Sequence, residues 1–246
     1  MKIKGAFFLV LYFFSLTVKT ELNGVGLLTQ YYLGKNYILS QKECSEKDVE
    51  AFLLGVWFPG IWYISEIKNS VSQKNCGLQE IEGERDSFKK GILFHKYLHE
   101  KEKAFLKDTL FHDYFPKNYP YEIKECYLNI LEDLLFTATE LPKEAKQLLN
   151  HSLYENFSLE NFSSDYPLSE IIKWYFTIFI SLDTPPLEII NEMSTQNTYK
   201  GVGVTLEITD QIIKEAHLRL PSMAIDEELR SILEKMLQKI QDDLSI

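Results

Sequence analysis

The stretch Asp86-Ser-Phe-Lys-Lys-Gly-Ile-Leu-Phe-His-Lys-Tyr-Leu-His-Glu-Lys-Glu-Lys-Ala-Phe-Leu106 is the longest uninterrupted helical pattern near the middle of the chain. Phe88, Ile92, His95, His99, Glu102 and Leu106 recur at steps of three and four, so one face of a helix carries all six. Two imidazoles and a carboxylate on one stripe either face a polar interior or face water. The chemistry of the protein turns on which.

Working outward, the same period recurs. Ser45-Glu-Lys-Asp48 has the form of a capping box and opens a helix through Glu50, Phe52, Leu53, Val56 and Trp57, which Pro59-Gly60 interrupts. Val25 to Leu33 reads as a helix ending at Gly34, and Asn69 to Asp86 as a polar loop. Phe111 to Pro120 reads as an aromatic loop broken by two prolines. Tyr121 to Thr139 follows as a strong helix, with Ile123, Cys126, Tyr127, Ile130, Leu134 and Leu135 on one face. Pro142 suits the first turn of a helix through His151. Ser169 caps an apolar helix from Ile171 to Leu182, and Asp183-Thr-Pro-Pro186 stops it. Leu187 to Met193 is another helical piece. Tyr199 to Ile208 alternates and is the one credible strand, or else a loop feeding a helix from about Thr209 to Leu218. Pro221 and Asp226 open a last helix with Leu229, Ile232, Leu233, Met236, Leu237 and Ile240 on its stripe. These elements predict an all-α fold, a single multi-helix domain with at most one short strand.

The amino end has a different logic. Lys2 and Lys4 precede the apolar run Ala6 to Val18, which is too short to cross a bilayer comfortably. This is the pattern of a signal peptide, with an uncleaved membrane anchor or a buried first helix as the alternatives. The expected organisation is a signal peptide over residues 1–20 and one helical domain over 21–246, exported to the periplasm or beyond the cell. The protein stays anchored to the membrane if the leader is not cleaved. No later segment is apolar enough to span a membrane. A formal charge of −10 argues against a general binder of nucleic-acid backbones and leaves a local basic groove open. Cys44, Cys76 and Cys126 lack the spacing of a cysteine-based metal or redox site. One disulfide, with Cys44 and Cys76 the closest pair in sequence and the third thiol left free, and three separate thiols both remain open. The triplets Asn156-Phe-Ser and Asn161-Phe-Ser are glycosylation sequons only in a host that glycosylates exported proteins.

The candidate chemistry centres on His95-x-x-x-His99. A four-residue helical step lets two imidazoles bind one divalent ion, with zinc the expected metal. No glutamate follows the first histidine, so this is not the His-Glu-x-x-His motif of metalloproteases. Further ligands come from His112-Asp113 or Glu132-Asp133, and Asp113 and Asp133 are the candidate general bases. The alternative is a solvated helix face, favoured by Lys96, Glu100, Lys101, Glu102 and Lys103. His151 reads as solvated, and His217 as lying near a helix terminus. No Gly-x-Ser-x-Gly elbow, phosphate-binding glycine loop or dinucleotide fingerprint occurs.

Leu54-Gly-Val-Trp-Phe-Pro-Gly-Ile-Trp-Tyr63 followed by Phe88-Lys-Lys-Gly-Ile-Leu-Phe-His-Lys-Tyr-Leu-His99 resembles a pattern in all-α metal-dependent phosphoesterases. Those proteins are related to bacterial zinc-dependent phospholipase C, P1-type nuclease and acyl-carrier-protein phosphodiesterase. In many of them a Gly-x-x-x-Pro-Asp-Ile segment precedes a Phe-x-x-Gly-x-x-x-His-x-x-x-Asp helix, and the His and both Asp belong to the metal site. Gly55, Pro59, Ile61, Phe88, Gly91 and His95 match. Gly60 stands where the first Asp is expected, and His99 where the second is. The resemblance covers roughly 50 residues. It implies a multi-helix fold, exported relatives and phosphoester hydrolysis. The loss of a carboxylate at Gly60 implies reduced or absent activity, or a binding protein on the same scaffold.

Overall fold

The computed structural model describes residues 26–41, 44–60, 76–107, 110–117, 119 and 121–154, and, in the last third, positions 171, 174, 175, 178, 179, 182, 218, 219 and 221–246. The leader, the alternating stretch Tyr199 to Ile208 and both sequons lie outside them, as do the helical piece expected at Leu187 to Met193 and, apart from Leu218, the one expected from about Thr209 to Leu218.

Among the described residues, seven α-helices have both ends described: α1 Leu27–Ser40, α2 Glu46–Trp57, α3 Leu78–Gly83, α4 Ser87–Lys107, α5 Tyr121–Leu134, α6 Leu141–Tyr154 and α7 Glu227–Leu244. A 3₁₀ turn, Phe58–Gly60, ends α2, and a second, Leu110–Tyr114, follows α4. Ile171, Trp174, Tyr175, Ile178, Phe179 and Leu182 are also helical, and all but Phe179 are buried. No strand occurs among the described residues.

α2 starts as its sequence dictates. The Ser45 side chain accepts from the Asp48 amide, and the Asp48 carboxylate accepts from the Ser45 amide. Two of the orphan donors of the first turn are thereby satisfied. Ser45→Ala removes one of those bonds, and its expected cost is about 1 kcal/mol, read as a lower urea midpoint at unchanged m-value. Ser87 Oγ donates to the other Asp48 oxygen at 2.9 Å, so the same carboxylate ties the starts of α2 and α4 together.

The centre of the fold is the crossing of α2 over α4. A Cβ placed on Gly55 would lie 2.0 Å from the Phe88 carbonyl oxygen, and one on Gly91 would lie 2.1 Å from that of Phe52. Backbone therefore meets backbone at two glycines. Around this crossing Phe52, Phe94 and Tyr37 form an aromatic cluster with ring centroids 4.8–5.8 Å apart. Trp174 closes the end of α2: its Nε1 donates to the Trp57 carbonyl at 3.1 Å and its ring lies edge-on to Phe58.

The main core gathers α1, α2, α4, α6, the C-terminal half of α7 and the Ile171–Leu182 positions. A second core joins Phe111, Phe115 and Tyr119 to α5, Met223 and the start of α7. Phe105 and Leu135 touch both, so the helices form one all-α domain.

Three boundaries differ from the sequence expectation. α1 does not end at Gly34 but continues to Ser40. Gly34 is a contact point, where an added Cβ would sit 3.3–3.5 Å from Leu53, Val56 and Phe52. The polar stretch Asn69 to Asp86 contains α3, a short helix anchored by the fully buried Ile81. α5 stops at Leu134 rather than Thr139. Thr137 Oγ1 donates to the Leu134 carbonyl and Thr139 Oγ1 to that of Phe136, so hydroxyls take carbonyls the helix would need.

Candidate functional site

The described part of the α4 stripe, from Phe88 to Glu102, faces inward. His95 and Glu102 are buried, and the His99 side chain is 21% exposed. His95 Nδ1 lies 2.9 Å from the Val56 carbonyl. Val56 belongs to the last turn of α2, where a helix leaves carbonyls without intrahelical donors. Nδ1–H therefore donates to that carbonyl, and Nε2 carries the lone pair. Burial, with the charges of His99 and Lys96, pushes the His95 imidazole down to about 3, although the bond to Val56 works the other way. His95 is neutral at physiological pH.

One turn on, His99 Nδ1 lies 3.8 Å from Glu102 Oε2, and Glu102 is only 1% exposed. A carboxylate this deep needs a compensating donor or cation. Its position was legible only through the helical period. Lys101 and Lys103 on either side give the local sequence the look of a solvated face.

The carboxylates expected from α5 are committed elsewhere. Asp133 Oδ1 accepts from the amides of Leu28 at 2.9 Å and Thr29 at 3.3 Å. Glu132 Oε2 accepts from the Gly26 amide at 3.0 Å. α1 begins at a glycine cap with no side chain of its own, so α5 supplies the cap from a distance. Burial pushes the Asp133 carboxyl up to about 7, against the hydrogen bonds from Thr29, Leu28 and Leu27. Trp57 Nε1 donates to the Leu27 carbonyl at 3.0 Å. The amino end of α1 and the His95 contact thus meet at neighbouring residues of α2.

The remaining candidates are dispersed. Asp113 is exposed on the 3₁₀ turn Leu110–Tyr114, and the side chain of His112 lies outside the described residues. His151, expected to be solvated, is half-exposed and pairs with Glu50 at 2.7 Å. Cys44 is exposed, Cys76 is partly buried, and both are free thiols. Among the described residues, neither His95 nor His99 makes an ion pair or hydrogen bond with Asp113 or Asp133. Nor do three His, Cys, Asp or Glu side chains converge there in a set that could hold a metal ion. The described side chains therefore do not fit a three-ligand zinc centre. No described helix is long and apolar enough to cross a membrane.

No protein-family model, curated protein or solved structure matches the chain.

Proposed function

We propose that the chain is an exported helical protein on a scaffold related to the metal-dependent phosphoesterases, with hydrolysis reduced or lost, and that it acts by binding. The observation that carries this reading is the place of Asp133. The residue best suited to be a general base spends its carboxylate oxygen on the amides of Leu28 and Thr29. His95, the best match to a metal ligand, donates through Nδ1 to the Val56 carbonyl, which fixes its ring at the α2–α4 junction and leaves Nε2 as a lone-pair donor, so the loss rests on the carboxylates and not on His95. Gly60 supplies no ligand, and Asp113 lies on the exposed surface. The glycines of the matched motif, Gly55 and Gly91, keep a scaffold role at the helix crossing. Export rests on Lys2, Lys4 and the apolar run Ala6 to Val18.

The test is hydrolysis of bis(p-nitrophenyl) phosphate and p-nitrophenyl phosphate by the purified protein, with Zn²⁺ or Mn²⁺ added, beside metal analysis. Turnover no higher than that of the His95→Ala and His99→Ala variants is the expected result. A rate that both variants abolish while His151→Ala keeps it would overturn the loss of activity.

A second reading, that the scaffold still holds a divalent cation without turning over substrate, is favoured by the burial of Glu102 beside His99. An inward carboxylate next to an imidazole supplies charge and a nitrogen donor, and any remaining donors would come from outside the described residues. About one zinc per chain, lost in His99→Ala at unchanged circular dichroism, is the result this reading expects. Metal-free protein after purification in zinc-supplemented buffer would eliminate it.

A further inference from the structure

We draw no further inference here: the strongest candidate, the open groove of about 520 Å³ between the start of α3, the middle of α4 and the end of α7, lined by Cys76, Tyr97, Lys101 and Asp243, carries nothing because no feature of the structure shows what covers it.

Discussion

Replacing Gly91 with alanine lowers stability by about 3 kcal/mol or leaves the protein unfolded, although alanine is the better helix former by about 1 kcal/mol. The two effects oppose each other, and geometry decides between them. The new methyl carbon would stand 2.1 Å from the Phe52 carbonyl oxygen and 2.8 Å from the Val56 nitrogen. Both are backbone atoms of α2, so no rotamer change relieves the clash. The helices must separate, which opens the contacts of Phe52, Phe94 and Val56 at the crossing. Gly55→Ala meets the Phe88 carbonyl at 2.0 Å and has the same expected effect. The double variant costs less than the sum, because the first methyl has already forced the gap that the second needs. Gly83→Ala is the control. Nothing lies within 4 Å of its added carbon, so its effect stays within about 0.5 kcal/mol of zero or is slightly stabilising. Urea unfolding followed by circular dichroism ranks all four. Wild-type stability in Gly91→Ala would refute the backbone-to-backbone crossing.

How far the sequence reveals this fold follows from which forces act locally. The α4 stripe, the Ser45 cap and the α7 stripe are legible because period and capping chemistry lie within one helix. Gly34 misleads because a glycine inside a helix and a glycine after one look alike without the partner helix. Here the partner is α2, whose Leu53, Val56 and Phe52 take the space a side chain would fill. Asp133 misleads for a related reason. An acidic pair at the end of a helix has the composition of a ligand set. Only the fold shows that α1 begins at Gly26 and borrows its cap from more than a hundred residues away. His95 is the intermediate case. Its inward direction follows from helical phase, whereas its use, donating to the Val56 carbonyl, depends on where α2 ends.

Those two side chains give the protein opposed pH dependences, which two substitutions separate. Asp133 has a folded value near 7 against an ordinary 3.8. The unfolded chain releases this proton first as pH rises, so Asp133 costs stability progressively between about pH 4 and 7. His95 has a folded value near 3 against 6.5. The unfolded chain takes up that proton first as pH falls, so His95 costs stability progressively from about pH 6.5 towards 3. Between pH 4 and 6.5 the slopes oppose, and the wild type shows little of either. Asp133→Asn keeps an acceptor for the Leu28 and Thr29 amides, while Glu132 stays on Gly26. Its stability relative to wild type should climb with pH by on the order of 2–4 kcal/mol, levelling off above 7. His95→Gln keeps a donor for Val56, and its relative stability should climb as pH falls from 6.5, by a similar amount. Urea midpoints of the three proteins at half-unit steps from pH 4 to 8 give the two difference curves. Opposite slopes identify Asp133 as a partly buried acid held at a helix end and His95 as a neutral donor. Two flat curves would mean that neither carboxyl nor imidazole is desolvated as the fold requires, and the account of α1 and α2 docking through them would fail.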